Sequence, residues 1–324
     1  MESSNGSRGG VGALSGPLPP QWSELTALRH LGLAGQEGLV GTLPRPWSVL
    51  KSLSKLDLRG SAGGLNGTLP VQYSALVSLA HLDLTTAAQL QRQQQQLYGS
   101  SGTTNASSGS SSSGSGGFTG ILPAAWSSLT SLTFLSLSGH DGVSGTLSPS
   151  WSSLSQLEVL DVSGNRLRGS LPPQWTSLGS LGVLDLSYND LSGTLPYAWS
   201  TLTRLVLLNI SHNPQLEGEL PAPWGAMAEL HQLDVSGCGR LAGPLPSSWS
   251  ALRHLASLDA SSNVLDGGLP ETWSALGSLE SLSLASNALS GPLPPSYSVL
   301  TALTFLDLSE NQLTGSVPAG WLRS

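Results

Sequence analysis

Leucine returns along this chain at a spacing far longer than a helical turn. Units open at Leu28, Leu53, Leu79, Leu132, Leu157, Leu181, Leu205, Leu230, Leu255, Leu279 and Leu303, in steps of 25, 26, 53, 25, 24, 24, 25, 25, 24 and 24 residues. The long step is one unit plus a 29-residue insertion. A clean copy, LGVLDLSYNDLSGTLPYAWSTLTR, runs from Leu181 to Arg204. Its Leu184 and Leu186 alternate with other residues, which predicts a short strand with both leucines inward. Asn189 follows at the bend, where its amide can bond backbone groups that the turn leaves unpaired. The L-x-G-x-L-P run from Leu191 to Pro196 comes next, with glycine for close approach and proline to end the extended stretch. The asparagine recurs as Asn165, Asn213, Asn263, Asn287 and Asn311. Cys238 takes that place in one unit, so it reads as structural and not as a reactive thiol.

A fixed period of this kind marks stacked repeats. An aromatic column provides an independent check. Three residues after the unit's proline stands Trp22, Trp47, Tyr73, Trp126, Trp199, Trp224, Trp249, Trp273, Tyr297 or Trp321, and Trp151 and Trp175 hold the same slot. All ten tryptophans fall in this column. A ligand-binding tryptophan would not recur in every unit, so the column predicts a stacked core spine.

Composition narrows the function classes. Of 324 residues, 39% are apolar and only 10% charged, with 39 glycines, 21 prolines and a net charge of −7. That balance excludes a basic nucleic-acid footprint and argues against a helical architecture. The charge is uneven: residues 1–100 sum to +2 and residues 101–324 to −9. One cysteine excludes an internal disulfide or a multi-cysteine zinc site. No run of about 20 apolar residues is present, so nothing in the sequence reads as a membrane span. Residues 1–12 lack the apolar core of a signal peptide, so the chain as written reads as cytoplasmic, with a cytoskeletal or ciliary assembly as one setting.

The repeats LxxLxLSxNxLxGxLP resemble the leucine-rich repeat family, in its plant-type 24-residue class, over roughly residues 14–324. That class occurs in plant receptor-kinase and receptor-like ectodomains and in polygalacturonase inhibitors. The resemblance implies an α/β-type solenoid: a right-handed curved superhelix with a parallel concave sheet and an irregular, 3-10-rich convex side. It also implies binding of a protein, peptide or glycan, not a reaction. The cysteine-paired cap usual in plant ectodomains is missing, which leads us to expect a piece of a longer protein. With a leader ahead of residue 1, the resemblance would place the chain outside the cell or at its surface.

Within that frame the sequence divides into a disordered N-terminus (1–13), a less regular block of repeats lacking the asparagine ladder (14–84), an insertion (85–117) and a regular block (118–324). The insertion, TTAAQLQRQQQQLYGSSGTTNASSGSSSSGSGG, leaves after a strand and so emerges at one rim of the sheet. Its composition predicts disorder, with the glutamine block able to form a short helix.

Two columns flank the inward strand leucines and should face solvent on the concave side. One reads Gly32, Asp57, Asp83, Ser136, Asp161, Asp185, Asn209, Asp234, Asp259, Ser283 and Asp307. Its aspartates suit a cation or a basic ligand, although the family frame also uses L-D-L-S for internal hydrogen bonds. The other carries Phe134, Val159, Val183 and Leu207 in four successive units, an apolar stripe about 14 Å long at strand spacing. Tyr188 and His212 lie one column further along. Phe134, Val159, Asp161, Val183, Asp185, Tyr188, Leu207, Asn209 and His212 therefore form the candidate partner site. Either the side chains lean on one another, or the insertion covers them, or a partner does.

The six histidines show no HExxH and no clustered ligand spacing, and there is no G-x-S-x-G elbow or phosphate loop. No catalytic, cofactor-binding or metal-binding residue is expected. The reading is a non-enzymatic scaffold that binds a protein or peptide, by its charge a basic one, on its concave face. The alternatives are a receptor-like ectodomain fragment and a secreted inhibitor of a wall-degrading glycosidase. Sequons at Asn5, Asn66, Asn105 and Asn209 bear on that choice, since a glycan on Asn209 would block the site.

Overall fold

Each unit contributes two short parallel strands and one 3-10 turn, and the units stack. The computed structural model describes residues 14–61, 64–98 and 117–323. Among these, the L-x-L segments form an eleven-stranded parallel sheet from His30–Gly32 to Phe305–Asp307, the concave face. The L-x-G-x-L-P segments form a second, ten-stranded parallel sheet from Ser15–Pro17 to Val264–Asp266. The 3-10 turns begin after the unit's proline, as in Tyr197–Thr201, and put the column aromatic at their centre.

The core lies between these layers. Leu181, Leu184, Leu186, Leu191 and Trp199 are all fully buried. Each column ring reaches into the unit before it: Trp199 Nε1 donates to Pro172 O and Trp224 Nε1 to Pro196 O, both at 3.0 Å. Trp175, Trp199 and Trp224 stack with centroids 6.2 and 6.4 Å apart and planes within 9°. Apolar contact and a satisfied indole N–H thus coincide in successive units, and the Tyr73 and Tyr297 hydroxyls make the equivalent bonds to Pro44 O and Pro270 O.

The asparagines bind neighbouring units in the same way. Asn189 Nδ2 donates to Leu186 O in its own unit and to Val162 O in the previous one, and its Oδ1 accepts the Leu167 amide at 3.0 Å. Cys238 holds its rung with a weak thiol bond to Ile210 O at 3.6 Å, and burial pushes the thiol up to about 11. The structural reading of this cysteine stands.

The early repeats differ from expectation. His30, Lys55, His81 and Phe134 sit in unbroken register, so the first strands of the concave sheet pair as regularly as the later ones. Other side chains replace the missing asparagines. Ser61 Oγ donates to Leu33 O at 2.6 Å and accepts the Gln36 amide. His140 Nε2 donates to Leu84 O at 2.8 Å, and its Nδ1 accepts the Phe118 amide.

At the start of the insertion the glutamine block takes the short helix that its composition allowed. Residues Ala87–Tyr98 form a helix, α1, built from good helix formers, and the Thr86 hydroxyl caps it by accepting the Gln89 amide at 3.3 Å. The disorder expected for 1–13 and for the Gly/Ser block 99–116 lies outside the described residues, as do the sequons at Asn5 and Asn105. No described helix is long and apolar enough to cross a membrane.

Candidate functional site

The concave strands bring the apolar stripe together as one surface. Val159 pairs in register with Phe134 and with Val183, and Val183 with Leu207. All four side chains are half-buried where full exposure was expected. They lean on one another across adjacent strands, and the Phe134 ring stacks on His81 with centroids 4.3 Å apart. The stripe is therefore a shallow apolar floor.

The acidic column is less open than expected. Asp57, Asp83 and Asp161 are buried, and Asp185 and Asp234 half-buried. Each carboxylate has a local task. Asp161 Oδ1 accepts the Ser163 amide and hydroxyl at 3.0 and 2.6 Å, and Asp185 and Asp234 hold Ser187 and Ser236 in the same way. Asn209 Oδ1 does likewise for Ser211. The column is a row of turn caps, which corrects the expectation of a freely solvated face. It still stores charge at a cost: burial, followed by the neighbouring Asp161 carboxylate, raises Asp185 to about 7, and burial raises Asp234. Among the described residues no cluster of His, Cys, Asp and Glu is arranged to hold a metal.

At one rim of this floor Tyr188 and His212 project from adjacent units. Their rings stack with centroids 4.2 Å apart and planes at 18°, and both are exposed, Tyr188 at 47%. Helix α1 occupies the neighbouring part of that rim. Gln89 Nε2 donates to Ser163 Oγ at 3.2 Å, and α1 lies where a Cβ added at Gly60, Gly139 or Gly164 would meet it. The sequence placed the insertion at the rim but not its packing. The glycines at 60, 139 and 164 were the available signal, and they stand in three different units. A wide, open depression of about 570 Å³ lies elsewhere, over the ten-stranded sheet, lined by Arg168, Asp190, Glu217 and Arg240. Its charges are of both signs, and Arg168 pairs with Asp190 at 3.6 Å, so it offers no apolar seat.

A leucine rich repeat family model matches residues 155–214, and a second matches residues 278–300 and 302–323. The chain carries leucine-rich repeats. Its 24-residue frame and its structural neighbours place its repeats in the plant-type class. This leucine-rich repeat array is similar to a TDR receptor structure at 29% identity and a TM-score of 0.79, covering 93% of this chain and 47% of that one. It is similar to the PEPR1–AtPEP1 structure at 26% identity and a TM-score of 0.75, covering 96% and 42%. The plant peptide hormone receptor RGFR1, in complex with RGF2, shares the fold at 24% identity and a TM-score of 0.60, covering 95% and 55%. The chain thus spans about half the length of these structures. No curated protein matches the leucine-rich repeat sequence.

Proposed function

We propose that this leucine-rich repeat array is the ligand-binding part of a receptor-like protein and takes a peptide on its concave face. The supporting observation is the contiguous floor of Phe134, Val159, Val183 and Leu207, half-buried and bordered by Asp161, Asp185 and Asn209, with an exposed aromatic pair at its rim. The likeness to the TDR receptor over nearly the whole chain favours a receptor over an intracellular scaffold or a glycosidase inhibitor. An extracellular or cell-surface setting follows from this reading, as does a binding rather than a catalytic role. The excess of acid in residues 101–324 favours a basic ligand.

The test is selection from a displayed random-peptide library, followed by binding measurements on Val183→Asp. Selected peptides should bind the parent protein and lose binding to Val183→Asp at an unchanged melting temperature. Peptides that bind both proteins equally would overturn the assignment of the face.

A further inference from the structure

The residue just before each ladder rung has positive φ. Gly35, Gly60, Gly139, Gly164 and Gly237 hold this place in five units and Ser262, Ser286 and Glu310 in three more, whereas two adjacent units place the rings of Tyr188 (φ 53°) and His212 (φ 54°) there. Since glycine serves the same bend elsewhere, the fold does not require a ring, and a large L side chain is strained in this conformation. Nothing in the packing of the core explains the pair. Both rings are exposed and stacked on each other, beside the floor formed by Val183 and Leu207.

The surroundings favour a cation. The carboxylates of Asp234 and Asp185 act electrostatically on Tyr188, and His212 lies in the field of Asp234. An electron-rich ring face with carboxylates behind it and an apolar floor at its side suits a guanidinium or ammonium carried on an extended peptide.

We propose that the Tyr188–His212 pair seats an arginine or lysine side chain of a bound peptide, whose next apolar residue lies on Val183 and Leu207. This inference rests on the concave-face peptide reading and names the ligand's chemistry.

The probe is a fluorescein-labelled hexapeptide of alternating arginine and leucine, with a glutamate–leucine hexapeptide as control. Fluorescence anisotropy should show binding of the first and not the second. The double substitution Tyr188→Gly with His212→Gly relieves backbone strain, so the melting temperature should hold or rise while affinity falls about tenfold. Equal affinity for the two peptides, or unchanged affinity in the double variant, overturns the seat. If the arginine peptide fails while library-selected peptides still depend on Val183, the seat falls and the receptor reading stands. If both fail, the receptor reading falls too.

Discussion

His140 stands where most units carry asparagine, and its burial makes that rung titratable. The imidazole must stay neutral, because Nδ1 accepts the Phe118 amide while Nε2 donates to Leu84 O. Burial accordingly lowers it from 6.5 to about 4. As pH falls from about 6.5 to 4, the unfolded chain takes up a proton that the native state refuses, and stability is lost across that window. The loss amounts to about 3 kcal/mol when complete. Asp185 has the opposite sign: its native value is raised from 3.8 to about 7, so the folded state holds a proton that the unfolded state releases, and stability is gained as pH falls from 7 toward 4. Urea unfolding between pH 4 and 8 should therefore show that His140→Asn removes an acid loss, whereas Asp185→Asn removes an acid gain. Parallel curves for parent and variants would refute both assignments. The asparagine rungs were legible in the sequence because they repeat with the period. His140 was not, because its residue type differs and only its offset from Leu132 betrays it.

At the scale of the element, α1 is where sequence reasoning stopped short. Its glutamine block has no apolar stripe to announce a packed face. The contact is made by Thr86 and Gln89 settling over bends whose glycines belong to other units. Gly139 shows the dependence: at φ 84°, an added Cβ would strike Thr86 Oγ1 and lie 2.9 Å from the Gln89 Cβ. Gly35 has nearly the same backbone, φ 72°, but nothing within 4 Å. Gly35→Ala should cost only the backbone term of about 1 kcal/mol, whereas Gly139→Ala should cost about 1–2 kcal/mol more and expose α1 amides to hydrogen exchange. Equal costs would mean that α1 is not seated on the rim. The second sheet makes a further distinction that the sequons alone could not. Asn66 and Thr68 are exposed on it, whereas Asn209 Oδ1 is held by Ser211, a residue only 2% exposed. Expressed through a secretory pathway, the folded protein should carry a glycan on Asn66 and none on Asn209, read by peptide mass mapping. A glycan at Asn209 would require the concave strand to open.

Across the whole molecule, the spine and the ladder couple a unit only to its neighbours, and α1, through Gln89 and Ser163, is the device that reaches further. The indole of Trp199 donates to Pro172 O, stacks on Trp175 behind and Trp224 ahead, and touches nothing further along the array. The ladder bonds likewise reach only into the preceding unit, donating across 27 or 28 residues and accepting an amide 22 to 25 residues earlier. A period this strict made the layers and the core legible from leucine, tryptophan and proline alone. The depth of the acidic column was not legible, because alternation gives a side chain's face but not how far its neighbours cover it. Stability in such an array is close to a sum of unit and interface contributions. Trp199→Ala removes a fully buried ring from two interfaces and should cost about 3–5 kcal/mol, concentrated where the contacts were. Hydrogen exchange provides the discriminating measurement. Amides of Leu186 and Ile210, each just past a concave strand, should lose most of their protection, while those of Leu58 and Leu84, several units away, should keep theirs. A uniform fall at all four positions would show the array unfolding as one cooperative body, with Trp199 supporting the whole and not only its two neighbours.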